Sequence, residues 1–164
     1  MAGMDDPEAG EAQEVTAFRR TLRPGRGGSY DYFLLLGLQP ENPMKVLLRV
    51  EKGLGFHSFE RFQRSAGLSA LDLAEAVSIT PRTLHRRKEE GRLAPDESDR
   101  LLRVSRVFGR ALALFEGDAE AAREWLGAPQ AGLGRQRPIA LARTDLGARE
   151  VEALVDRLEH GVLA

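Results

Sequence analysis

Cysteine is absent from the 164 residues, which excludes disulfides, zinc ribbons and thiol chemistry. Long apolar runs are missing too. The longest, "YFLLLGL" at 32–38, is far too short to cross a bilayer. The start, "MAGMDDPEAGEAQEV", has no apolar centre and so does not read as a secretory signal or transit peptide; a soluble, cytoplasmic protein is expected. Overall charge is nearly balanced at −1, so global electrostatics do not announce a polyanion partner. The three histidines, His57, His85 and His160, fall on different elements without metal-ligand spacing, and no metal is expected. The glycines of "GRGG" and "GLGR" lack the strand-to-helix setting of a phosphate loop and read as linker and turn. No carboxylate pair stands out for acid–base work, so no enzyme and no cofactor are expected. Internal repeats and a convincing strand pair are also lacking.

What is present is a run of helix signals. The length suits one domain, or two small lobes sharing a core. Residues 1–28 are rich in Gly, Ala, Glu and Pro and carry Asp5, Asp6, Glu8, Glu11 and Glu14; a flexible acidic segment is expected there. Asn42-Pro43 then opens a helix that Gly53 stops, and Ser58 caps "FERFQRSAG". Ser69 with Asp72 caps "ALDLAEAV", and Thr80-Pro81 opens the next helix, closed by Gly91. Pro95, Asp96 and Glu97 begin a longer one, with acids near its positive end. Its seam of Leu101, Val104, Phe108, Ala111 and Phe115, widened by Leu102 and Leu112, fits either the domain core or a surface joining two chains. Asp118 caps "AEAAREWLG", and Thr144 or Asp145 leads a last helix with Val151, Leu154, Val155 and Leu158 on one face. "YFLLL" and "PIALA" are open to short extended structure. The expected fold is an all-α helical bundle, with a helical region at 29–116 and a smaller helical domain at 117–164.

The chemistry concentrates in "ALDLAEAV-SIT-PRTLHRRKEEG", where two helices meet across a three-residue turn at 69–91, the spacing of a helix-turn-helix. From Ser78 to Arg110 there are nine Arg/Lys against five Asp/Glu, a local surplus of four positive charges that outweighs net charge as an electrostatic footprint. With Thr80 as N-cap, Arg82, Thr83, His85 and Arg86 are the early outward residues, placed to reach base edges in a major groove. Arg87, Lys88 and Arg92 suit phosphates. An ordinary solvated basic face fits the same residues. Ser78 stands where the turn often has glycine, and Arg87 where a last apolar residue is common.

Beyond these spacings, "RTLHRRKEEGRLAPDESDRLLRVSRVFGRALALFEGDAEAAREWL" resembles the region joining the two halves of the Xre/MbcA/ParS antitoxins, partners of RES-domain toxins. The later stretch, with Pro138, Leu141, Thr144, Gly147, Val151, Leu154 and Gly161 in order, resembles their toxin-binding domain. The resemblance covers roughly 44–164 and departs from the family at Arg135, where a second glycine is common. It implies a type II antitoxin, homodimeric within a toxin–antitoxin assembly, that inhibits an NAD-degrading RES toxin without binding NAD and represses its operon through operator DNA. It also implies toxin contact by Trp125, Leu133, Arg135, Arg137, Arg143, Leu158, Val162 and Leu163. A stand-alone repressor, or a toxin-binding module whose helix-turn-helix does not touch DNA, are the competing readings.

Overall fold

A computed structural model of the chain describes residues 12–22 and 29–162. Among them every regular element is helical: α1 (Gln13–Thr21), a 3₁₀ segment (Asp31–Leu36), α2 (Pro43–Lys52), α3 (Phe56–Ala66), α4 (Ala70–Ala76), α5 (Pro81–Glu90), α6 (Pro95–Leu114), α7 (Ala119–Gly127), a second 3₁₀ segment (Ala131–Leu133), α8 (Pro138–Leu141) and α9 (Asp145–Glu159). None of these helices is long and apolar enough to cross a membrane.

Capping side chains set the helix starts. Asn42 Oδ1 accepts from Lys45 N–H at 3.1 Å, Ser69 Oγ from Asp72 N–H at 3.1 Å, and Thr80 Oγ1 from Thr83 N–H at 3.2 Å. Asp118 Oδ1 takes the Ala121 N–H and Thr144 Oγ1 the Gly147 N–H, both at 3.0 Å. Each satisfies an orphan donor, a contribution of about 1 kcal/mol. Ser58 departs from its expected role. Helix α3 begins three residues earlier, with Gly55 as N-cap and Ser58 buried inside it. The cause is Phe56, whose ring stacks on Phe59 at 5.2 Å and whose N–H donates to Gly91 O at 2.9 Å. The two stretches open to extended structure are helical as well. Phe33, Leu35 and Leu36 all face the core, which a strand's alternation does not permit.

A second correction lies near the N-terminus. Residues 13–21 belong to the expected flexible segment, yet they form α1, with Val15 and Phe18 buried and Arg19 Nε donating to Gly117 O at 2.7 Å. Two apolar residues three apart on one face were enough to dock this short helix against the bundle. The rest of that segment, 1–11 and 23–28, lies outside the described residues.

Helix α6 is the centre. Its 20 residues run about 30 Å at ~1.5 Å per residue, and it packs on α2, α3 and the first 3₁₀ segment as well as on α7 and α9. Leu101, Val104, Phe108, Ala111 and Leu112 are all buried within one chain. The seam that also fitted a chain–chain surface is therefore the domain core. Leu102 and Phe115 are partly open, and Phe115, at the end of the seam, meets Trp125 with ring centroids 6.4 Å apart. One continuous apolar cluster runs from Val15 on α1 to Leu154 on α9.

Candidate functional site

Helices α4 and α5 stand against each other across the turn Val77–Thr80. Ala74, Val77, Ile79 and Leu84 are buried at their junction, and the small Ala74 lets the second helix approach. Ile79 N–H donates to Ala74 O at 2.8 Å, while Arg100 Nε of α6 donates to Val77 O at 2.7 Å. The turn is thus pinned from its own helix and from the central one. Ser78 sits at φ 56°, the left-handed region that explains why glycine is frequent there.

The cations of α5 divide by what they touch. Arg82 is exposed near the N-terminus of α5 and has no hydrogen-bond or ion-pair partner among the described residues. Thr83 lies beside it, its hydroxyl 3.1 Å from that of Thr80. His85 and Arg86 are exposed, each next to a glutamate one turn on, His85 Nε2 at 3.2 Å from Glu89 and Arg86 Nε at 3.7 Å from Glu90. Lys88 is exposed and unpartnered among the described residues.

Arg87 is different. Its Nε and Nη2 donate to Glu97 at 2.8 and 3.1 Å, and Nη1 to Glu90 at 3.0 Å. Glu97 is buried and also accepts from Ala94 N–H at 2.7 Å. The hydrogen bonds to Glu97 and then Glu90 hold the Arg87 guanidinium further above its ordinary range. The polar residue in the usual apolar position therefore clamps α5 to the start of α6, which separates it from the phosphate role expected for it. Arg92 bonds inward as well, its Nη1 donating to Lys52 O at 3.2 Å and Gly53 O at 3.3 Å. Neither partnership was legible in the sequence, because a contact ten or forty residues away leaves no periodic signal.

In the C-terminal part, Gln130 organises the connection from α7 to α8. Its Nε2 donates to Trp125 O at 3.0 Å and Ala128 O at 3.2 Å, and its N–H to Gln136 O at 3.1 Å. Leu133 is buried under this loop, and Trp125 is half-buried against Phe115. Arg135 projects from the loop at φ 62°, a conformation that suits the glycine common at this position. Arg135 and Arg137 are both exposed, with no ion-pair partner among the described residues. Arg143 is exposed but tied: its Nη2 donates to Glu75 of α4 at 2.8 Å, and its carbonyl accepts from Arg103 Nη1 at 3.1 Å.

Arg137 and Arg143 line one cleft with α4. Leu158 and Val162 are exposed at the other end of α9, the length of that helix away, about 20 Å at ~1.5 Å per residue. Of the residues expected to meet a toxin, Arg137 and Arg143 thus lie toward the start of α9, and Leu158 and Val162 toward its end. Leu163 lies outside the described residues.

Comparison with known proteins matches two family models to the chain. The family model described as the antitoxin Xre-like helix-turn-helix domain matches residues 46–106. The model described as the antitoxin Xre/MbcA/ParS C-terminal toxin-binding domain matches residues 110–161. A Yersinia enterocolitica protein named Antitoxin Xre is 34% identical over 130 residues, covering 79% of this chain and 88% of the relative. A Photorhabdus laumondii Antitoxin Xre is 32% identical over 116 residues, 70% of this chain and 78% of the relative. A third, from Pseudomonas putida, is 35% identical over 89 residues, 53% of this chain and 55% of the relative. Antitoxins are regulatory binding proteins, not enzymes. With a helix-turn-helix domain and a toxin-binding domain built on the same central helix, the chain belongs to the Xre antitoxin family.

Proposed function

We propose that this chain is the antitoxin of a type II system, which binds and inhibits a RES-domain, NAD-degrading toxin and represses its own operon. The observation that carries this reading is the presence of two separate contact faces with unengaged arginines. Arg82 projects from the first turn of α5, and Arg135 and Arg137 project from the braced loop between α7 and α8. An exposed, unpaired arginine at the start of a reading helix suits bidentate contact with guanine. Arg86, only loosely paired with Glu90, suits a base edge, and Lys88 suits the phosphates alongside. The loop arginines suit acidic residues of the toxin, at a position where the docked antitoxin keeps NAD out without binding NAD itself.

A two-fold operator calls for two chains. What supports a homodimer is α2, which buries Val46 and Val50 yet leaves Met44, Leu47 and Leu48 exposed along its opposite face. Such a stripe is more apolar surface than a solitary helix normally shows to water.

The test expresses the RES-domain toxin with and without this chain, follows cellular NAD and growth, and measures gel shifts on the promoter upstream of the gene. Preserved NAD together with retardation of an inverted repeat supports both jobs. Operator binding without protection leaves a stand-alone repressor. Protection without operator binding leaves an interaction module.

A further inference from the structure

Between α4 of the helix-turn-helix and α7–α8 of the toxin-binding domain lies a cleft of about 250 Å³. Its charged lining is Asp72 and Glu75 from α4 and Arg123, Arg137 and Arg143 from the other side, one positive charge in surplus. The partners of these groups are unequal. Arg143 is bound to Glu75, and Arg123 reaches Gly67 O at 3.4 Å and Glu120 only at 4.0 Å. Arg137 has no partner among the described residues, and it caps no backbone group with its side chain. At the rim, Gly127 closes α7, and a Cβ there would meet nothing within 4 Å. The cleft has room for about eight waters at ~30 Å³ each, enough for one carboxylate-bearing side chain to enter.

We infer that this cleft receives an acidic side chain of the toxin, which pairs with Arg137, draws Arg143 away from Glu75, and so loosens α4 and lowers affinity for the operator. The inference rests on the toxin reading above. The chemistry favours an acid because the surplus is positive and, beside the unpaired Asp72 carboxylate of α4, the unengaged cation on the opposite wall is the Arg137 guanidinium, which binds carboxylates in a fork. The consequence for DNA follows from what Arg143 joins. It stands one residue before the cap of α9, its carbonyl is held by Arg103, and its guanidinium is the ion pair that reaches α4 from the C-terminal part. Both partners are substantially exposed, Arg143 at 40% and Glu75 at 67%. The tie is therefore a weak one, and the coupling it transmits is about two- to fivefold in affinity. By linkage, the operator weakens toxin binding by the same factor.

The test uses the full-length chain, its RES-domain partner and the operator. Arg137→Glu and Gly127→Leu are expected to weaken toxin binding tenfold or more, on the order of one ion pair in a partly desolvated interface. Both are expected to keep the wild-type helical circular dichroism. Glu75→Ala removes the tie in advance: its operator affinity without toxin falls to the toxin-bound wild-type level, and added toxin changes it no further. If the wild-type chain does not bind the RES-domain protein, the toxin reading fails and takes this inference with it. If the wild type binds and both cleft variants bind as tightly, the cleft is overturned while the toxin reading stands. If Glu75→Ala keeps the wild-type ratio of operator affinities with and without toxin, the coupling is overturned.

Discussion

Arg82 and Arg87 are five residues apart on the same helix, yet they have opposite surroundings, and their substitutions separate accordingly. Arg82→Ala is expected to leave stability unchanged, to cost about 1–3 kcal/mol of operator affinity and to relax base preference at one position. Arg87→Ala leaves the buried Glu97 carboxylate without its guanidinium, so it is expected to cost about 2 kcal/mol of folding stability. Arg87→Lys should not rescue it, because an ammonium cannot reproduce the two-point contact. Urea denaturation and gel shifts on both variants check the contrast. Arg135 offers a third case. Held at φ 62°, it is expected to gain about 0.5–1 kcal/mol of stability on replacement by glycine while losing toxin affinity, as read by thermal melting and co-purification. The sequence marked Arg82, His85 and Arg86 as outward residues, and they are exposed, since a cap sets the phase of the helix that follows it. It could not separate Arg87 from its neighbours, because the carboxylate that engages Arg87 belongs to the next helix.

At the scale of elements, capping chemistry made most boundaries legible: Asn42, Ser69, Thr80, Asp118 and Thr144 all act where expected. Ser58 and α1 were not legible, and for one reason. In each case a contact outside the helix, the Phe56 N–H on Gly91 O or Phe18 beside Gly109, outweighed the local signal. For α1 the consequence is measurable. Phe18→Ala is expected to cost about 3–5 kcal/mol, whereas a side chain on a free tail would cost nothing; the midpoint of chemical denaturation decides. The first 3₁₀ segment gives a pH prediction. Burial raises the pKa of Tyr32, an effect that the charge of Arg106 only partly offsets. Its phenol is thus harder to ionise in the folded chain than in the unfolded one. The stability it contributes is complete below about pH 10, the ordinary tyrosine value, and is lost as pH rises toward the folded pKa. Melting temperature should fall more steeply above pH 10 in wild type than in Tyr32→Phe.

The whole molecule differs most from its sequence in how its two jobs are joined. A boundary near residue 117 was expected to separate them, but the core does not stop there. Val151, Leu154 and Val155 of α9 are buried, and Arg106 and Arg110 of α6 pair with Glu152 and Asp156 of α9. Removing residues 145–164 therefore strips the central helix of a packing partner and does not leave the helix-turn-helix as it was. Point changes at Arg137 or Gly127 test toxin contact more cleanly. Assembly belongs to this scale as well. If α2 joins two chains, Leu48→Glu is expected to turn a dimer into a monomer in light scattering at micromolar concentration, while affinity for a single half-site stays the same. Periodicity revealed the α6 seam but not which apolar surface it meets; the exposed Met44, Leu47 and Leu48 became distinguishable only once the core was seen to be full.

The sharing of α6 bears on how such a protein is removed from a cell. Because Leu101 to Leu112 contribute to a single apolar cluster that runs from α1 to α9, a protease that gains entry at either half melts the support of the other. No surviving fragment would be left to occupy the operator after the capacity for neutralisation had gone, or to neutralise after the operator had been vacated. If the chain performs both proposed jobs, repression and protection therefore decay with one half-life, and turnover of the chain acts on both outputs as a single event.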